Sequence, residues 1–257
     1  MKDLPILEYD DISQPVVTVK KYVPDFIDQA ADRCLITYFV DVVEHYERVY
    51  KVNQAFKIRT EGVRPCVFIM QAGSFRKPIY VVPVPIGAPQ AARVLEALSS
   101  IGVKKFMVCG GAGTLDDKIT RDKVLIPTAA VRDEGTSYHY QPPAREIALD
   151  PRVQAIIEKT LARENTAFER VKTWTTDGIF RETADKVQLR KSEGCDVVEM
   201  ECSAYYAVAK HKGLTLGQLL YAGDIVETDQ WSQRDWHDRY EEREKLFELS
   251  IKCLLEF

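Results

Sequence analysis

Lys105-Phe106-Met107-Val108-Cys109-Gly110-Gly111-Ala112-Gly113-Thr114 begins as a buried strand and opens directly into a run with three glycines in four positions. A helix precedes it. Ala91, Val94, Leu95, Leu98 and Ile101 fall on one helical face, and Gly102 ends that helix. A helix followed by an apolar strand is the repeating unit of layered α/β proteins, whose ligands bind beyond the carboxyl ends of strands. The glycines could bring backbone amides close to a ligand or simply make a tight turn, and glycine content favours neither. Two motifs are excluded. The spacing is not Gly-x-Gly-x-x-Gly with a helix following at once, and no Gly-Lys-Ser/Thr is present.

The same alternation extends along the chain. Strands are predicted at 34–40, 66–70, 78–84, 124–131, 170–175, 196–198 and 216–222. Helices are predicted at 151–164, 184–192, 202–211 and 235–257. This is an α/β pattern with a parallel or mixed sheet. Residues 1–30 are polar, with Pro5, Pro15 and Pro24 spaced through them, and read as an N-terminal arm lying over a neighbour. Residues 31–257 show no linker and no repeat, so they read as one domain.

Composition narrows the classes. The chain has 257 residues, 46% of them apolar and 29% charged, enough to bury a large core, which excludes intrinsic disorder. Its net charge of -4 argues against holding polymeric nucleic acid, which takes a basic face, but a local pocket can still be positive. No stretch approaches the roughly 20 apolar residues of a membrane span, and no signal peptide is visible. The six scattered cysteines read as reduced thiols of a cytoplasmic protein. The dispersed histidines give no metal site.

Two further strand ends carry unusual residues. In Val198-Glu199-Met200-Glu201-Cys202-Ser203-Ala204, two carboxylates flank a methionine where an apolar strand becomes a helix. The helix dipole accounts for one glutamate. A second, buried beside Val198, needs hydrogen-bond donors, and a carboxylate can accept two neighbouring hydroxyls, as on a sugar. In Leu219-Leu220-Tyr221-Ala222-Gly223-Asp224, an acid ends an apolar strand, placed for general-acid use or for capping the next segment. Trp231 and Trp236 read as packing at a helix start. The run Glu241-Glu242-Arg243-Glu244-Lys245 reads as a solvated helix face.

With these elements in this order, the chain resembles the nucleoside phosphorylase superfamily of purine nucleoside and uridine phosphorylases and nucleosidases. The resemblance covers about residues 30–257. It rests on Pro85-Ile86-Gly87-Ala88-Pro89, Cys109–Thr114, Val131–Ser137, Thr176-Asp177-Gly178-Ile179-Phe180, Glu199-Met200-Glu201 and Gly223-Asp224. It implies a three-layer α/β/α single domain with a mixed central sheet, assembled as a homo-oligomer such as a dimer or hexamer. The implied reaction is phosphorolysis of a nucleoside, purine-type favoured, to free base and ribose 1-phosphate. Phosphate is then a co-substrate, and no other cofactor, metal or membrane is involved. The alternatives are a nucleosidase that uses water and a non-catalytic nucleoside-binding homologue.

The resemblance also implies roles. Glu201 and Met200 bind ribose, and Glu199, Ile179 and Phe180 line the base. Asp224 is the acid acting on the leaving base. Gly87, Gly110 and Gly111 belong to the phosphate loop, and Arg64 reaches an adjacent subunit's phosphate. Arg234 lies early in the segment where purine phosphorylases hold an assisting arginine. The first strand departs from the pattern: Thr37-Tyr38-Phe39-Val40-Asp41 stands where phosphorylases of the hexameric type carry Gly-Asp-Pro-x-Arg, and Val108 replaces an arginine.

Overall fold

The structure is a computed structural model and describes residues 4–10, 14–28, 30–50, 52–72, 77–116, 118–119, 122–227, 231–235 and 238–257. In chain order its strands and helices are β1 (Arg33–Thr37), α1 (Val40–Tyr50), β2 (Asn53–Lys57), β3 (Cys66–Ala72), β4 (Lys77–Pro83) and α2 (Ala88–Ser100). Next come β5 (Lys105–Thr114), β6 (Val124–Asp133), β7 (Glu146–Ala148), α3 (Pro151–Arg163), β8 (Phe168–Thr176) and α4 (Ala184–Ser192). The chain ends with β9 (Val197–Glu199), α5 (Cys202–Lys212), β10 (Thr215–Val226), β11 (Trp231–Ser232) and α6 (Tyr240–Glu256).

All strands belong to one mixed sheet of order β11-β10-β6-β8-β9-β5-β1-β4-β3-β2, with β7 on β6. β10 pairs with both β6 and β5, so β5, β9, β8, β6 and β10 close into a ring. β1 is buried at every residue and pairs in parallel with β4 and β5, as its unbroken apolar run requires of an interior strand. Helix α6 lies along β1, β5 and β10, flanked by α1 and α3, while α2 and α5 pack on each other and α5 covers β6 and β10. This is the mixed α/β domain that the alternation predicts.

Local chemistry sets the helix ends. Asp150 accepts from the Arg152 amide and caps α3, with Pro151 in its first turn. Gly213, at φ +63°, closes α5 in the left-handed conformation. Residues of the arm form two short 3-10 turns, Pro5–Leu7 against the turn Thr136–His139 and Val19–Tyr22 against α2.

Four boundaries differ from the sequence reading. The first strand stops at Thr37, whose hydroxyl accepts the Phe39 amide, and α1 begins at Val40. β5 does not open into a loop at Gly110. It remains strand to Thr114 because β10 pairs along it from Lys105 and β9 pairs with Gly113 and Thr114. Likewise β10 continues through Gly223 and Asp224, with a register shift between Ala222 and Ile225. The last helix begins at Tyr240, after Arg234 and Asp235 take positive φ. Among the described residues, no helix is long and apolar enough to cross a membrane.

Candidate active site

A cleft of about 1360 Å3 opens at the carboxyl ends of β1, β5, β9 and β10, where the sheet ring meets the turn Ile179–Arg181. It collects residues far apart in sequence: Tyr38 and Asp41, Ile86, Gly110 and Gly111, Ile179 and Phe180, Glu199–Glu201, Asp224, Trp231 and Arg243.

The two glutamates divide their work. Glu199 accepts four hydrogen bonds: from the hydroxyls of Thr173 (3.2 Å) and Thr175 (2.6 Å) and from the amides of Glu201 (2.8 Å) and Cys202 (2.6 Å). Both its oxygens are thus held by protein donors at the start of α5. Glu199 thereby fixes the β9–α5 turn while still lining the cleft. Glu201 keeps more of its capacity. One oxygen accepts the Gly87 amide at 2.6 Å, at a backbone position of φ +117° that glycine favours, and Tyr38 hydrogen-bonds the same carboxyl. The Tyr38 hydroxyl also meets that of Tyr205 at 2.9 Å. Burial raises both carboxyls above the usual range, and for Glu201 the neighbouring Glu199 charge adds to it. Glu199, with its four donors, is the better holder of the pair's negative charge.

The glycine row is packed by rings. A Cβ on Gly110 would lie 3.0 Å from the Tyr38 ring, and one on Gly111 would lie 3.1 Å from the Tyr221 ring. The third glycine, Gly113, makes room for Asp224, whose oxygen would sit 3.1 Å from such a Cβ. Asp224 also accepts the Trp231 indole N–H at 2.7 Å. Trp231 lies on β11 paired to β10, so it borders the cleft instead of packing at a helix start. Trp236 falls outside the described residues. Phe180 is 94% exposed on the short turn, with Ile179 beside it, and both border the cleft.

Two functional candidates escaped the sequence reading. Glu182 lines the cleft, and burial with the nearby Asp224 charge pushes its carboxyl up to about 7. Its position two residues after Phe180 was visible, but nothing in the sequence brings it to Asp224. Arg243 is the other. It lines the cleft and donates to Asp41 at 2.6 Å, its side chain only 12% exposed. The Glu241–Lys245 run is therefore not wholly a solvated face, because one of its residues turns inward. Arg64 is not part of this cleft. It borders a separate groove with Val16, Lys21 and Arg59. Arg234 is not among the cleft residues either.

The segment Val131–Ser137 supports the site from behind. Buried Glu134 accepts from the Ser137 amide (2.9 Å) and from the Ser203 hydroxyl of α5 (2.8 Å). Arg132 donates to the Ser137 hydroxyl and to the carbonyls of Gln141 and Pro142. This network ties the end of β6 to the helix that carries Glu201. The six cysteines are all unpaired.

Comparison with known proteins matches residues 37–255 to the family profile described as the phosphorylase superfamily. A guanosine phosphorylase of Halorubrum lacusprofundi is 31% identical over 148 residues, 56% of this chain. The match spans 61% of that curated relative's length. The AMP nucleosidase from Bacteroides thetaiotaomicron superposes with a TM-score of 0.72 at 19% identity, covering 92% of each chain. The uridine phosphorylase from Vibrio fischeri ES114 superposes with a TM-score of 0.70 at 19% identity, covering 90% of this chain and 94% of its own. At such identities the two structures speak for the fold.

Proposed function

The chain belongs to the phosphorylase superfamily, and on that premise we propose that it cleaves the N-glycosidic bond of a purine-type nucleoside by phosphorolysis. The observation that carries this is the cleft that gathers Met200 and Glu201, Phe180, and Asp224 from three separate segments. Glu201 is fixed on the Gly87 amide and offers its second oxygen to ribose hydroxyls, with Met200 against the sugar. Phe180 supplies an exposed ring for stacking on the base.

At the other end, Asp224 and Glu182 form an acidic pair beside the base. A carboxyl held near neutral pKa carries a proton that the departing base can take. As the bond between C1′ and the base nitrogen breaks, its electron pair leaves with the base. A phosphate oxygen then forms the new bond to C1′. The relative named as a guanosine phosphorylase is consistent with both the purine preference and the nucleophile.

A specific observation favours a second reading, hydrolysis. The Tyr38 and Tyr221 rings pack on Gly110 and Gly111, and Glu201 already takes the Gly87 amide, which leaves less of the glycine surface open to a phosphate. Base release from a panel of purine and pyrimidine nucleosides, with and without inorganic phosphate, separates the two. Phosphorolysis requires phosphate and yields ribose 1-phosphate. Equal rates in its absence assign the nucleophile to water.

A further inference from the structure

We propose that Arg243 is an anion-binding residue of the cleft, holding a phosphate group at the end bounded by β1 and β10, with Asp41 as its exchangeable counter-ion. The inference rests on the nucleoside-cleaving reading of the site and adds a residue and a ligand chemistry to it.

The charge pattern of the cleft makes Arg243 conspicuous. Among the described residues, its lining carries Asp41, Glu182, Glu199, Glu201, Asp224 and Glu227, and Arg243 is the one lysine or arginine. Its side chain reaches the cleft from α6, donates to Asp41 at 2.6 Å and hydrogen-bonds the Tyr221 hydroxyl. Tyr221 in turn covers Gly111 and packs against Phe39 at 5.9 Å. The guanidinium is thus positioned from two sides at the end of β1.

Burying a guanidinium is costly, and an apolar side chain would hold α6 to the sheet without that cost. Its retention at a cleft wall fits a ligand role. Asp41 is suited to the counterpart role because its side chain is 43% exposed. Because Asp41 remains partly in water, it can yield its place while an incoming dianion keeps the buried guanidinium paired. A guanidinium offers five donors in a planar fork that matches the oxygens of a phosphate group.

Two sources could supply that group: inorganic phosphate as the nucleophile, or a phosphate ester carried by a nucleotide substrate. The test uses the full chain and the variants Arg243→Gln, Arg243→Lys and Asp41→Asn. Base release is measured from a purine nucleoside across phosphate concentrations, and from the corresponding 5′-monophosphate without added phosphate. For the phosphate-bearing reactant, Arg243→Gln should raise KM about tenfold or more, as expected for loss of a charged hydrogen bond. KM for the unphosphorylated nucleoside should change less than about twofold, Arg243→Lys should recover part of the loss, and Asp41→Asn should lower the same KM. The reactant that responds identifies the source.

A purely structural ion pair gives the opposite pattern. Arg243→Gln and Asp41→Asn would then lower the Tm together and shift no KM selectively, which overturns the inference. If Arg243→Gln does not fold, the Asp41→Asn and Arg243→Lys results still decide. A parent protein that releases no base from any substrate instead overturns the proposed reaction. In that case calorimetric titration of parent and Asp41→Asn with inorganic phosphate, and separately with the 5′-monophosphate, reads the inference on its own. Tighter binding of either anion by Asp41→Asn supports it, and unchanged or absent binding overturns it.

Discussion

Asp224 and Glu182 illustrate how much a residue's chemistry depends on its neighbour. Asp224 ends an apolar strand and was readable as an acid from sequence. Glu182 follows a phenylalanine and carried no such mark, yet the fold sets the two carboxyls against each other. Asp224→Asn is expected to cut kcat for purine nucleosides by about 10²–10⁴, the usual range for loss of a general acid, with far less effect on binding of the ribose part. Unchanged turnover would remove Asp224 from the role. Glu182→Gln should remove a titration near pH 7 from the rate profile. The same group affects stability. Its folded pKa lies above the unfolded value of 4.5, so the folded state binds the extra proton and parent stability falls as pH rises from about 4.5 to about 7. The Tm of Glu182→Gln should therefore equal the parent's at acidic pH, gain on it through that window and keep a constant lead above. A constant difference at every pH would contradict the assigned environment.

At the scale of elements, β5 and β10 are the pair that positions the site, and their glycines serve packing. Gly217 in β10 faces Ile157 of α3, Met107 of β5 and Phe257. A Cβ there would lie 2.6 Å from the Ile157 methyl and 3.1 Å from both other side chains. Gly217→Ala is expected to cost about 1–3 kcal/mol through overpacking, read as a lower denaturation midpoint, with the site chemistry unchanged in surviving protein. A variant as stable as the parent would show that α3 yields freely. The glycines of β5 show the limit of reading one strand by itself. Glycine content left a ligand loop and a tight turn equally open for Gly110, Gly111 and Gly113, and each is in fact placed against a side chain from outside the strand: Tyr38, Tyr221 and Asp224. The 3.6-residue pattern suits α2 and α3, which each bury one face, whereas α5 is buried at every residue from Cys202 to Ala209 and is marked instead by its small-residue start after Glu201. The short strands β2, β7 and β11 offer few apolar residues for a pattern to form, while α1, with Val42, Val43 and Tyr46 on one buried face, is missed because its first residue reads into the preceding strand.

For the whole molecule, net charge and local charge part company. The chain is mildly acidic and its cleft more so, with one arginine bound to an aspartate among several carboxylates. Arg64 points to another level of organisation, because it lies in a groove with the arm and away from its own chain's cleft. If copies associate so that Arg64 serves a neighbouring cleft, Arg64→Ala and Asp224→Asn chains, each weakly active alone, should regain activity when assembled together. A fully active monomeric Arg64→Ala protein on gel filtration would exclude that arrangement. The alternating apolar strands and amphipathic helices by themselves determined a layered α/β domain, and Glu-Met-Glu with Gly-Asp at strand ends determined its family resemblance. Both are local patterns, set by side-chain periodicity and by residue type at fixed spacing. Only the tertiary structure decided that Glu199 is spent on the start of α5 while Glu201 faces the cleft, that Trp231 and Glu182 flank Asp224, and that Arg243 turns inward from an acidic helix. Those outcomes depend on which atoms from distant segments meet in a low-dielectric space, and contact between distant segments leaves no period in the chain.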